Sequence, residues 1–168
     1  MREVYCDQFL TKQIEEARYV NEKQIALYKA SRGEANYVDA PLGDLVFYYV
    51  GFNDAAQNKE CQDIFRKCQL NEQLYFSHVI RGYSDKLLWP EVQKLVKMKK
   101  CPVPFATVAE ILYAADNREL ASDTFCKISD AELRIEKLIE YKFWTVAMDE
   151  MLKARLHEDY EERLIGFA

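Results

Sequence analysis

Residues 104–155 run PFATVAEILYAADNRELASDTFCKISDAELRIEKLIEYKFWTVAMDEMLKAR, and this stretch decides the fold. Apolar side chains recur in it at three- and four-residue intervals, the repeat of a helix that buries one face. End signals divide it. Pro104 suits a first helical turn, Asn117 is a side-chain cap, and Ser129 with Glu132 makes a capping box. Together these predict helices over 104–115, 118–126, 130–141 and 143–156, with connections so short that neighbours must fold back beside one another.

Outward from that stretch the same grammar continues. Asn71 caps a helix over 72–83, and further helices are expected over 88–98 and 55–69, the latter with Ile64, Phe65 and Cys68 on one face. Residues 42–52 are almost continuously apolar, a pattern open to a buried strand or a buried helix. No second strand candidate exists to pair with it, so helix is the reading. SRGEANYVDAP (31–41) breaks the chain, with Gly33 as a helix stop and Pro41 opening the next element. Before it, residues 3–30 spread Phe9, Ile14, Ala17, Val20, Ala26 and Leu27 among Lys, Glu and Gln as one long amphipathic helix.

Elements of similar character open at Leu88, Arg118 and Phe143, roughly 25 to 30 residues apart, with Trp89 and Trp144 at two of these starts. No tight consensus repeats. The expectation is an all-α chain, an irregular α-solenoid of stacked antiparallel helix hairpins forming a single helical-repeat domain over 1–168. Composition agrees, because 5 Gly and 4 Pro are too few for the tight turns of a β-rich chain.

Charge and length exclude several classes of function. A net charge of -5 with a pI near 5.2 opposes a dedicated nucleic-acid surface, which begins with phosphate neutralisation. The longest uncharged apolar run, 45–52, falls far short of the roughly 20 residues of a membrane span. MREVYCDQFL at the start lacks the apolar core of a secretory signal. Cys6, Cys61, Cys68, Cys101 and Cys126 are odd in number and sparse, which fits reduced thiols in the cytosol.

Few residues point to chemistry. Cys61 and Cys68 are the nearest cysteine pair, and no CxxC occurs, so metal-ligand spacing is missing. His78 lies in the apolar run LYFSHVI as a packing histidine, and His157 is the other histidine. The acid pairs Glu15-Glu16, Glu158-Asp159 and Glu161-Glu162 alternate with cations as solvated faces. Glycines 33, 43, 51, 82 and 166 are too scattered to cradle a phosphate. Lys94, Lys97, Lys99 and Lys100 end a helix, where cations oppose its dipole; a docking or headgroup contact is the sharper alternative. The 11 Tyr, 9 Phe and 2 Trp are packing between helices, with a share left for an interface. The chain is therefore expected to be a binding protein, neither an enzyme nor a carrier of a cofactor or metal.

From Leu74 to Arg155 the sequence resembles the C-terminal helical region of the vacuolar protein sorting-associated protein 16 family, nearest its spermatogenesis-defective protein 39 (VIPAR) branch. The likeness is carried by Trp89 to Leu95, then Lys99, Lys100, Pro102 and Phe105, then Val108-Ala109-Glu110-Ile111, and downstream by Lys137-Leu138-Ile139. It implies a cytoplasmic adaptor, peripheral on late endosomes and lysosomes, that binds an SM-family protein of the vacuolar protein sorting-associated protein 33 type. Branches of the family serve the HOPS and CORVET tethers or a separate two-protein complex. By the same likeness Gly82 and Arg155 fall near the partner contact, with Tyr83 and Lys142 beside them. A different helical-repeat coat or tether adaptor, recognising another helix in a groove, is the alternative.

Overall fold

The computed structural model describes residues 2–30, 40–51, 55–98 and 100–156. Among these residues the chain is all-helical, with nine α-helices and no strand. They are α1 (Arg2–Ala30), α2 (Leu42–Gly51), α3 (Ala55–Lys67), α4 (Glu72–Asp85), α5 (Trp89–Val96), α6 (Phe105–Ala114), α7 (Arg118–Phe125), α8 (Ala131–Glu140) and α9 (Trp144–Ala154). Every helix expected from the sequence is present, with ends moved by no more than two residues. The stop assigned to Gly33 lies outside the described residues.

The caps explain the boundaries. The Asn71 side chain accepts from Gln73 N at 2.9 Å and Leu74 N at 3.3 Å, and Asn117 accepts from Leu120 N at 3.2 Å. Two caps differ from expectation. Asp130, not Ser129, takes the capping position of α8 and accepts from Leu133 N at 3.2 Å, which leaves Ser129 exposed one residue outside the helix. An ionised acceptor there satisfies an orphan N–H and opposes the positive helix end, both favourable. Pro104 likewise stands at the capping residue itself, just before the first turn of α6.

The chain divides into two compact units, Met1–Lys86 and Leu87–Ala168. In the first, α2 is the hub and packs on α1, α3 and most extensively on α4. Its Leu45, Val46, Tyr49 and Val50 are buried, which accounts for the run of apolar residues. The main partner is therefore not the next helix in sequence. A Cβ on Gly43 would meet His78, and one on Gly82 would meet the Phe47 carbonyl oxygen at 2.7 Å and Val50 Cβ at 3.2 Å. These contacts advance together along α2 and α4, so the two run in the same sense with α3 as the return. Gly82→Ala should cost about 1–3 kcal/mol, because the methyl meets backbone that cannot step aside. Chemical denaturation followed by far-UV circular dichroism checks this, and Gly43→Ala, which meets only a side-chain end, should cost less.

In the second unit α6 packs on α7, α7 on α8, and α8 on α9. Ala109, Phe125, Ile128, Ile135, Leu138, Ala147 and Met151 form one buried cluster across these four helices. Each paired set is joined by three residues, Ala115-Asp116-Asn117 and Tyr141-Lys142-Phe143, and in both the middle residue is left-handed (φ 59° and 62°). Around each, two backbone bonds close the helix end: Asn117 N to Leu112 O at 3.0 Å and Asp116 N to Tyr113 O at 3.0 Å, and Phe143 N to Leu138 O at 2.8 Å with Lys142 N to Ile139 O at 3.0 Å. This is the doubly bonded helix stop usually built on glycine. The same left-handed turn recurs at Arg155 (φ 59°), where Leu156 N bonds Met151 O at 3.1 Å.

Candidate interaction surface

Among the described residues, α9 packs on the rest of the second unit through one face. Ala147, Glu150 and Met151 are buried on it, and Val146 and Ala154 pack against the same core. Glu150 is the unusual member, a carboxylate that is only 8% exposed. Its Oε2 lies 2.8 Å from Arg134 Nε on α8, and its Oε1 accepts from Lys153 Nζ at 2.7 Å. Arg134 Nη1 in turn donates to the Ile128 carbonyl at 2.6 Å, so a single guanidinium ties α8, α9 and the turn after α7. The Lys153 hydrogen bond, with the positive charges of Lys153 and Arg134, holds the Glu150 carboxyl below the usual carboxylate range in spite of burial.

The opposite face of α9 is uncovered. Met148 is 51% exposed and Leu152 63%, and one turn of helix separates them. Thr145 and Asp149 are exposed beside them. This apolar pair was missed from sequence; the available signal was its spacing of four, offset from the buried row at 147, 150, 151 and 154.

The residues singled out by the resemblance fall in both units, two in each. Lys142 and Arg155 are both exposed and bracket α9, one just before it and one just after, roughly 15–20 Å apart along the helix. Tyr83 is half-buried on α4 in the first unit. Gly82 is buried beside it, and the close approach that it permits is taken by α2 of this same chain.

Other candidates resolve into packing. Burial is the first cause of a lowered His78 pKa, reinforced by Arg81, so this histidine is held neutral against Gly43. Cys61 is buried with its thiol pushed up to about 12 by burial, and burial also raises Cys68 and Cys126, the reverse of an activated nucleophile. Of the basic run, Lys94 pairs with Glu91 at 2.6 Å, Lys97 closes α5, and Lys99 lies outside the described residues. Among the described residues no three His, Cys, Asp or Glu side chains gather to hold a metal ion, and no helix is long and apolar enough to cross a membrane. No protein-family model, curated protein or solved structure matches this chain.

Proposed function

We propose that the chain is a non-enzymatic adaptor in vesicle trafficking from endosomes to lysosomes that binds an SM-family protein of the vacuolar protein sorting-associated protein 33 type. In this reading α6–α7 and α8–α9 are successive hairpins of an irregular α-solenoid, and the protein is cytoplasmic, peripheral on late endosomes and lysosomes through its partner. The observation that carries it is the outer face of α9, which closes the segment bearing the family likeness. There Met148 and Leu152 stand uncovered between the cations Lys142 and Arg155. An apolar anchor flanked by charge is the anatomy of a binding patch, whose centre supplies affinity and whose rim supplies orientation. The Glu150–Arg134 tie supports this role by fixing α9 before a partner arrives, which lowers the ordering cost of binding. Tyr83 is a secondary contact, and Gly82 acts by keeping α4 against α2.

Co-expression with an SM protein of that type should give a complex that survives size exclusion. The double substitution Met148→Glu/Leu152→Glu should weaken it by about 2 kcal/mol or more, roughly thirtyfold, and Arg155→Glu by less. All three side chains are exposed, so the unfolding midpoint should stay put. No complex, or a double variant binding like the parent, would overturn the reading. Purification of a coat or another tether subunit as the principal partner would replace it.

A further inference from the structure

Helix α1 carries two apolar rows, one packed inward and one exposed. On the inner face Leu27 and Gln24 are buried, and the Gln24 amide donates to the Ala40 carbonyl at 3.0 Å. The Tyr49 hydroxyl donates to the Lys23 carbonyl at 3.2 Å, and the Lys67 ammonium sits 4.3 Å from the centre of the Tyr19 ring. A second row, Leu10, Ile14, Ala17, Asn21, Ile25 and Tyr28, runs along the outside, and all six are exposed. At about 100° per residue the row spans an arc of roughly 80° over about 27 Å of helix. The four large apolar members are 44–56% exposed, far more than scattered surface leucines need be given this alignment.

The spacing names the kind of partner. Steps of three and four residues make the seam of a two-helix coil, not the broad stripe that faces a globular core. The row is also complementary to itself when reversed. A second α1 running the other way sets Leu10 against Tyr28, Ile14 against Ile25, and the small Ala17 against Asn21. Arg18 and Glu22 are exposed and flank the row on one side. In an antiparallel pair that flank meets its own counterpart, so Arg18 of each chain falls beside Glu22 of the other. A parallel pair puts the two flanks on opposite sides and loses both ion pairs.

We infer that the outer face of α1 is a self-association surface, and that two copies of the chain pair through antiparallel α1 helices about a two-fold axis near residue 19. The inner-face bonds hold each α1 in place beforehand, so little order remains to be imposed on pairing. The inference stands apart from the adaptor reading, which concerns α9.

Sedimentation of the full chain tests it through charge reversal and mixing. The unaltered chain should dimerise with concentration. Arg18→Glu and Glu22→Arg should each weaken the dimer about tenfold or more, since each variant faces like charges twice across the axis. An equimolar mixture of the two should recover the dimer. In the mixed pair the acid introduced at position 18 of one chain meets the base introduced at position 22 of the other, and the remaining native pair, Glu22 with Arg18, forms as before. A chain monomeric at every concentration, a dimer indifferent to both reversals, or a mixture no better than its components would each overturn the inference. Should either reversal disturb helicity, cysteine trapping decides instead. Ile14→Cys/Ile25→Cys must then give oxidised dimers beyond those of either single variant, and equal trapping by all three refutes the antiparallel pair.

Discussion

Phe125→Ala is expected to destabilise the second unit by about 3–5 kcal/mol, the cost of removing a large aromatic side chain from a core that cannot close over the void. Phe125 has no exposed surface and packs against two rings from the connection between α8 and α9. Its ring centre lies 5.1 Å from that of Tyr141 and 6.1 Å from that of Phe143, while Tyr113 lies 4.8 Å and 5.9 Å from the same two rings. Four rings thus join α6, α7 and the connection from α8 into α9. Edge and tilted contacts of this kind add to area burial, so the loss exceeds that of an isolated phenylalanine. The chain has 2 Trp, Trp89 and Trp144, and both belong to this unit, so fluorescence-detected urea unfolding reads it directly. A midpoint unchanged from the parent would show that the four rings are not the keystone of the unit. Phe125→Leu, which retains most of the volume, should recover more than half of the loss.

The helices were legible because their signals are local. Asn71 and Asn117 cap as their side-chain chemistry dictates, and short connections after 114 and 140 leave consecutive helices no route except alongside each other. Pairing at a distance was not legible. Nothing near Gly82 in sequence reveals that α2 lies against it, and the family likeness points instead to an external contact. The turns at Asp116, Lys142 and Arg155 were hidden for another reason: their left-handed conformation is taken by residues with side chains, without the glycine that normally marks it.

Helix α1 shows a subtler limit. Its sequence reads as one amphipathic helix, but Leu27 and Val20 turn inward while Ile14 and Ala17 turn out. A composition of alternating charges and apolar residues is compatible with one face or two, and only burial separates them. The candidate surface on α9 was partly legible for the same reason. Likeness to a family puts Arg155 and Lys142 near a partner contact, whereas the exposure of Met148 and Leu152 required knowing which side of α9 meets the core.

Glu150→Gln should have the second large effect, about 2–3 kcal/mol at neutral pH, and the effect should fade in acid. The substitution keeps the shape of the side chain but leaves the Arg134 guanidinium, whose side chain is 15% exposed, without its neutralising partner. Removing one member of a well-buried pair costs about 3–5 kcal/mol, and partial solvation through exposed Lys153 reduces that here. The pH dependence follows from the depressed carboxyl of Glu150. A group whose folded pKa is lowered stabilises fully above its unfolded value, near 4.3, and that stabilisation is lost as pH falls through the folded value. The gap between parent and variant in urea unfolding should therefore be widest at neutral pH, narrow below about pH 4, and close once both states bind the proton. A gap constant across that range would mean that Glu150 contributes by packing alone. Because the same carboxylate fixes the buried side of α9, a variant that loosens it without touching Met148 or Leu152 should also slow formation of any complex made through their face.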